Sequence, residues 1–581
     1  MTLRSMRQAA ASRRRPLLGA ALVLAGAGAT AGQAPPAPAE PWFEERAAAL
    51  GIVFAHQSGR AASPGRYFMP EIMGPGVAVL DADGDGDLDL FFVQGGSLEG
   101  EAVAGSGHRL YRNRLRETGA LAFVDVTATS GLQPCAYGMG VAAGDYDNDG
   151  RTDLYVTCVG SNQLWHNEGP GPDGNARFRD ATAAAGADDP RWSVSATFFD
   201  YDRDGWLDLY VGNYLRFTAA GYQPCRTRAG EPDWCGPVAS DAVPGRLLHN
   251  RRNGTFEDAT EKSGLAARFG PGLGSRAFDF DGDGWLDLYV ANDKTENQLW
   301  LNNSGNGTFR DEAPLTGCAL SGEGQTQASM GVDAGDYDGD GDLDLAITNL
   351  NGEGIALYRI GGGLCEDVSA GSGLRGASLG TTGFGAAWLD VDGDGWLDWL
   401  AVNGAIKSID EQRRRGEALP LRQPRQLFRN LGNGRFEDAS ARAGATFVTP
   451  EVSRGAAFGD LDDDGDPDVV VATVDGPARV FANRAGGGRA WMGVRLVTAR
   501  GRDALGALVT IERVTGAPLV RQARADGSYA SANDPRVLFG LGDGSAPRRL
   551  VVRWPSGRQE AFPPPASRRY TTLVEGSGTA P

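Results

Sequence analysis

Asp279 to Leu288, DFDGDGWLDL, is the stretch from which the rest of this chain is read. Its pattern, D-x-D-x-D-G-x-x-D, occurs seven times. Positions 1, 3, 5 and 9 are Asp81, Asp83, Asp85 and Asp89 in the first copy, and Asp145, Asp147, Asp149 and Asp153 in the second. They are Asp200, Asp202, Asp204 and Asp208 in the third, and Asp279, Asp281, Asp283 and Asp287 in the fourth. The fifth has Asp336, Asp338, Asp340 and Asp344, the sixth Asp390, Asp392, Asp394 and Asp398, and the seventh Asp460, Asp462, Asp464 and Asp468. Position 6 is glycine every time (Gly86, Gly150, Gly205, Gly284, Gly341, Gly395, Gly465). Alternate short carboxylates on a tight turn converge on one hard cation, and glycine supplies the positive φ of the turn. Ca²⁺, with its 6–8 oxygen ligands, fits best. Mg²⁺ keeps its waters, and Zn²⁺ prefers the Cys and His that these loops lack. Seven loops allow up to seven Ca²⁺.

These are not EF-hands. Position 12 of the first loop is Phe92, where an EF-hand has a bidentate Glu. The segments that follow, DLFFV, DLYVT, DLYVG, DLYVA, DLAIT, DWLAV and DVVVA, are short and rich in β-formers. Each loop therefore reads as the turn of a β-hairpin. Downstream comes an L-x-x-N element: Leu110–Asn113, Leu164–Asn167, Leu247–Asn250, Leu299–Asn302 and Leu427–Asn430, with Val480–Asn483 as the last. A Gly/Asn turn and an F-x-D-x-T/S segment follow, then a strand of small residues enters the next loop. That makes four strands per unit. Seven such units predict an all-β chain built as a seven-bladed β-propeller with Ca-binding hairpin loops, followed by a small C-terminal β-domain. The seventh unit lacks its last strand, and WFEERAAALGI, from Trp42, is the spare one. We expect it to complete the last blade and close the ring without a free edge.

The repeats resemble the FG-GAP/VCBS repeats of integrin-type propellers over about residues 42–485. Past Arg489 the acidic loops stop. There Arg502 with Leu505-Gly506-Ala507, then Gly527-Ser528-Tyr529, Phe539-Gly540-Leu541-Gly542 and Val552-Arg553-Trp554-Pro555-Ser556-Gly557 resemble an ASPIC/UnbV domain. The whole arrangement resembles the cartilage acidic protein family. That resemblance implies a Ca²⁺-binding extracellular protein acting in adhesion or matrix contacts.

The expected organisation is a secretory leader (1–31), a Pro/Ala linker (32–41), the propeller (42–488), the C-terminal domain (489–575) and a short tail (576–581). Five arginines precede the apolar run Leu17 to Ala29, and small residues follow. Ser12-Arg13-Arg14 points toward twin-arginine export. No other segment is apolar enough to span a bilayer. A secreted, periplasmic or cell-surface location follows. The net charge is −18; without the five leader arginines it is −23, and seven Ca²⁺ would bring it to −9. That acidity argues against nucleic acid as a partner. Six cysteines in an exported chain favour disulfides, and six allow 15 pairings. We expect Cys225–Cys235 within one insertion, Cys135–Cys158 across a hairpin, and Cys318–Cys365.

The third unit carries an insertion within Tyr214 to Pro244, and Arg413 to Arg415 mark a second. Long loops on a rigid frame carry function, or are decoration pinned by a disulfide. His56, Arg66, Tyr67 and Glu71, ahead of the first loop, either line a site near the ring's closure or pack to seal it. His166 and His249 occupy the third position of L-x-x-N and read as repeat-surface residues. No nucleophile elbow, zincin, Walker A or dinucleotide motif is present. The sequence therefore favours a binding module for a glycan or an extracellular or cell-surface protein, using the loop-bearing face, the insertions and the C-terminal domain. The second reading is a polysaccharide lyase or hydrolase working near the central channel with His56, Glu71 or an arginine.

Overall fold

The computed structural model describes residues 40–60, 65–99, 107–542 and 546–581; the expected leader and residues 32–39 of the linker lie outside the described residues. Seven four-stranded antiparallel sheets follow the seven acidic loops. In the fourth, Gly272–Phe278, Asp287–Asn292, Gln298–Asn302 and Phe309–Asp311 pair in chain order. The acidic loop joins its first two strands, with Phe278 opposite Asp287. The same register, the residue before position 1 facing position 9, holds in all seven sheets. The loops therefore share one face of the ring. First strands of neighbouring sheets touch in sequence, and Val77–Leu80 of the first meets Ser453–Gly459 of the seventh, which closes a seven-bladed propeller.

The closure uses the spare strand. Phe43–Glu45 pairs antiparallel with Arg479–Asn483 and becomes the outermost strand of blade 7. Apolar residues of adjacent blades interdigitate between sheets, as where Phe278, Tyr289 and Leu299 of blade 4 meet Leu345, Ile347 and Tyr358 of blade 5. Small residues let the inner strands crowd the axis. A Cβ at Gly274 would fall on the Met330 carbonyl, and one at Gly76 on the Ala530 carbonyl. The F-x-D-x-T/S segment has a structural use. In blade 3, Asp258 Oδ1 accepts from Thr260 N (3.0 Å), and Thr260 Oγ1 accepts from Leu247 N (3.0 Å), tying the outer strand to the L-x-x-N strand. The structure adds a one-turn helix after this segment, as at Thr260–Ser263, closed by a positive-φ glycine, Gly264.

The C-terminal domain holds two sheets. Trp491–Val497 lies between Val537–Gly540 and Tyr570–Val574, and Leu508–Arg513 lies between Leu519–Gln522 and Pro547–Arg553, with Gln559–Phe562 at the edge. This domain sits on the loop-bearing face and sends residues 526–533 down the channel. Asp526 Oδ2 accepts from Ala277 N of blade 4 (2.7 Å). Val332 N of blade 5 donates to the Ser528 carbonyl (3.1 Å), Val141 N of blade 2 to that of Ala530 (3.1 Å) and Val79 N of blade 1 to that of Ala532 (3.0 Å). Ser528 Oγ donates to the Ala456 carbonyl of blade 7 (2.7 Å). Tyr529 is fully buried against Phe384, with its hydroxyl on the Met73 carbonyl (2.8 Å). Met139, Met330, Trp192 and Tyr214 extend this apolar plug toward the far face. There the blade 3 insertion closes the other end. Trp234 is fully buried, and Asp233 Oδ1 accepts from Ser408 N (3.2 Å) and Oγ (2.9 Å) of unit 6. The channel is thus filled along its axis.

Disulfides join Cys135 to Cys158, Cys225 to Cys235 and Cys318 to Cys365. Among the described residues no helix is long and apolar enough to cross a membrane.

If residues 526–533 hold the ring together from inside, Tyr529→Ala will destabilise the whole chain by about 3–5 kcal/mol. Tyr529→Phe, which loses one hydrogen bond, will cost about 1 kcal/mol. Denaturant melts of the two variants check this.

Candidate metal centres

Each acidic loop is a set of carboxylates held by the loop's own backbone. Position 1 accepts from the position 6 glycine: Gly150 N donates to Asp145 Oδ2 at 2.8 Å, Gly395 N to Asp390 Oδ2 at 2.9 Å. Position 5 accepts from position 7, as Trp285 N to Asp283 Oδ1 at 2.8 Å. Position 6 has φ between 84° and 100° in every loop. Position 4 is left-handed too: Gly84, Asn148, Arg203, Gly282, Gly339, Gly393 and Asp463. The mix of Gly, Asn and Asp at that position was the available signal. Arg203 is the exception, and its guanidinium stacks 3.7 Å from the Trp285 ring centroid of the next loop.

Position 9 has a different role from the others. In blade 4, Asp287 Oδ2 accepts from Phe280 N (2.9 Å) and Oδ1 from Asn302 N (2.7 Å). Asp89, Asp153, Asp208, Asp398 and Asp468 repeat both bonds. The Asn of L-x-x-N then reaches out of its blade. Asn302 Nδ2 donates to the Leu286 carbonyl of its own loop (3.1 Å) and to the Tyr201 carbonyl of the preceding loop (2.7 Å). Asn167, Asn250, Asn430 and Asn483 do likewise to Ala82, Tyr146, Tyr337 and Val391. Asn113 donates to Leu461 of blade 7 (3.1 Å), which carries the chain of contacts around the closure. Sequence reading found these asparagines as a motif without assigning them this part.

The remaining carboxylate oxygens converge. In loop 5, one oxygen from each of Asp336, Asp338, Asp340 and Asp344 lies within 4.8 Å of the others, and loops 1 and 2 bring positions 1, 3 and 5 together in the same way. Asp147 Oδ1, Asp279 Oδ1, Asp344 Oδ2, Asp390 Oδ1 and Asp462 Oδ1 are buried with no hydrogen-bond partner. Burial raises Asp145 to about 6, Asp200 and Asp390 to about 7 and Asp344 to about 9. Unpaired buried carboxylate oxygens are costly unless a cation answers them; the all-oxygen set of loop 5 fits a hard divalent ion, and in loops 2 and 3 His166 and His249 add a nitrogen to the group.

The loops are not equivalent. The third residue of L-x-x-N points at them. Arg112 Nε lies 2.5 Å from Asp83 Oδ2 in loop 1, and Arg429 reaches both Asp392 and Asp394 at 2.8 Å in loop 6. Blades 4 and 7 have Leu301 and Ala482 at this place, and in blade 5 Arg359 turns to Glu366. His166 and His249, expected at the repeat surface, instead face the carboxylates: His166 Nδ1 is 3.2 Å from Asp147 Oδ2, and His249 Nδ1 is 3.0 Å from Asp208 Oδ1.

The C-terminal domain sets cations against this face and overlies part of it, while Asp149, Asp281, Asp283 and Asp340 stay exposed. Residues 489–575 contain fourteen arginines and seven acids, a charge split visible in the sequence. Arg502 lies 3.4 Å from Asp200, Arg553 pairs with Asp279, and Arg536 binds Asp463 at 2.7 Å. Tyr570 Oη donates to Asp460 Oδ2 (3.1 Å). The residues expected near the ring's closure separate into two groups. His56 and Glu71 are 3% and 1% exposed, too buried to meet a substrate. His56 Nδ1 accepts from Asp475 N at 3.4 Å, and Ser58 Oγ donates to Asp475 Oδ2 at 2.8 Å, which packs the lead-in against blade 7. Burial raises Glu71 to about 8. Arg66 and Tyr67 lie on the far face, with Arg66 over the rings of Phe68 and Tyr222.

Comparison with known proteins agrees with this geometry. The FG-GAP-like repeat family matches residues 81–156, 151–211, 238–290, 279–347, 336–401 and 422–471, and the ASPIC and UnbV family matches residues 497–580. Cartilage acidic protein 1 of mouse is 26% identical over 340 residues, 57% of this chain and 48% of the relative. The human protein is 26% identical over 339 residues, 57% of this chain and 47% of its own length. The chain thus spans about half the length of the curated relatives it matches. Among solved structures, an Agrocybe aegerita lectin that recognises non-reducing terminal N-acetylglucosamine aligns with TM-score 0.36 and 15% identity, over 69% of this chain and 87% of the lectin. Repeats and C-terminal domain together place the chain: it belongs to the FG-GAP-like repeat family and carries an ASPIC and UnbV domain behind its propeller.

Proposed function

We propose that this chain is an exported calcium-binding propeller that serves as a binding module for a glycan or an extracellular protein. The observation that carries the calcium reading is the set of buried, partnerless carboxylate oxygens in loops 2, 4, 5, 6 and 7. Positions 1, 3 and 5 would hold the ion, joined in loop 5 by Asp344 at position 9; in the other loops position 9 fixes the loop to the next strand. Calcium supplies charge neutralisation and rigidity here. Its ligands are committed to the cage, and the C-terminal domain lies over them, which speaks for a structural ion. Three disulfides support an oxidising compartment, and the expected leader supports export. The filled channel and the overlying C-terminal domain support the far face and its insertions as the ligand surface of this reading.

Calcium binding and melting, measured together with and without chelator, test the reading. Occupancy at ten times Kd adds about 1.4 kcal/mol per site. We expect chelation to lower the melting temperature sharply, and Asp283→Ala to remove one ion. No bound ions and no shift would sink the proposal.

Arg112 and Arg429 place a fixed cation inside loops 1 and 6, so these loops should be the weakest. Arg112→Leu, which copies Leu301 of blade 4, is expected to strengthen calcium binding at loop 1; calorimetric titration of the variant reads this.

The pH dependence of the calcium-free protein follows from the raised carboxylates. Asp145, Asp200 and Asp390 hold protons in the folded chain up to about pH 6–7. Unfolded, they release them near pH 4. The folded state therefore binds more protons between these limits, and their contribution is lost as pH rises through about 6–7. Calcium-stripped protein should melt lower at pH 8 than at pH 5.5. Calcium should reverse the trend, because the ion competes with the protons.

A further inference from the structure

We infer that the far face carries a pocket for one acidic sugar residue, a pyranose ring bearing a carboxylate. The inference rests on the binding-module reading above and gives it a place and a ligand class. A cavity of about 270 Å³ opens between the lead-in to blade 1 and the insertion of blade 3. That is small for a drug-sized ligand and suits a single ring. Its walls are Tyr67, Phe68, Trp192, Phe217 and Tyr222. Phe68 meets Phe217 and Tyr222 edge-to-face at 5.9 and 5.1 Å, and Trp192 meets Phe217 at 5.6 Å. Flat aromatic walls favour a ligand with an apolar face, and the C–H face of a pyranose is one.

The polar groups choose among such ligands. Arg216 stands exposed in the lining, and its guanidinium has no ion pair or hydrogen bond among the described residues. The described lining contains no Asp or Glu, in a chain of net charge −18. A cationic ligand would find no counter-charge here. A purely apolar side chain would make no use of the arginine. A pyranose offers hydroxyls to the polar rim of Thr218, Gln223 and Ser240, and a carboxylate matches the fork of Arg216. The walls are held in place before binding. The Cys225–Cys235 disulfide, the bonds of Asp233 to Ser408 and the packing of Tyr67 on the buried Trp234 (4.9 Å) fix the insertion. Fixed walls lower the ordering cost of binding.

The test uses the calcium-loaded chain on an array of uronate- and sialate-terminated glycans, each beside its neutral counterpart. Affinities for the acidic members come from tryptophan fluorescence. We expect binding to acidic members, weakened at least tenfold by Arg216→Ala and by Phe217→Ala, with Arg216→Lys between. No acidic glycan bound, equal binding of neutral counterparts, or binding unchanged in Arg216→Ala would each overturn the inference. Melting with and without chelator on the same samples separates the two claims. Calcium-sensitive melting with no acidic glycan bound leaves the calcium-held module standing and removes this pocket.

Discussion

The ninth-position aspartate is the point where loop, blade and neighbouring blade meet. Its two oxygens take backbone N–H groups from the loop's start and from the L-x-x-N strand, and the asparagine there reaches the preceding loop. Six of the seven buried carboxylates make both bonds and Asp344 makes one, and six blades are tied by an asparagine to the preceding loop. A buried carboxylate is costly, and hydrogen bonds to its charged form are what keep it tolerable. Yet burial still pushes Asp89, Asp287, Asp398 and Asp468 well above the usual carboxylate range. A proton on these carboxylates, or positive charge beside them, offsets that cost.

Two further sources of that charge are built into the chain. One is local: Arg112 and Arg429 lie among the carboxylates of their own blades. The other is the C-terminal domain, whose arginines meet loops on opposite sides of the ring. Because residues 526–533 also hydrogen-bond inner strands of several blades, that domain is anchored along the axis as well as on the face. A domain held at both places cannot swing away to expose the loops. The consequence is functional. The acidic face, which invites a reading as a ligand surface, is largely overlaid by this domain, although Asp149, Asp281, Asp283 and Asp340 stay exposed.

Much of this was legible without coordinates, for identifiable reasons. Carboxylates at every second position with a fixed glycine force a tight turn, and β-branched runs after them exclude an EF-hand helix. The orphan strand at Trp42 predicted the closure because the seventh unit lacked a partner. The docking of the last ninety residues was harder, since contacts such as Arg553 with Asp279 join residues distant in sequence. The excess of arginine after residue 488 was nonetheless a readable sign. His166 and His249 were misplaced because the third residue of L-x-x-N looks solvent-facing by analogy; only the strand register shows that it points back at the loop. The insertion in blade 3 could be seen, but not that it crosses the channel to unit 6.

Blade 5 shows how far the asparagine device can be relaxed. The residue that should be asparagine is Ile360, so its backbone N–H still binds Asp344 Oδ1 (2.8 Å) but no side chain reaches the Phe280 carbonyl of loop 4. Asp344 Oδ2 has no hydrogen-bond partner there. Two side-chain hydrogen bonds are missing there, worth about 1–3 kcal/mol together. The same seam is crossed by a disulfide: Cys318 follows the last strand of blade 4, and Cys365 lies in the last strand of blade 5. A disulfide contributes about 2–4 kcal/mol. The covalent link at the outer edge is thus large enough to offset what the inner seam lacks, and the blade without its asparagine is held at its rim.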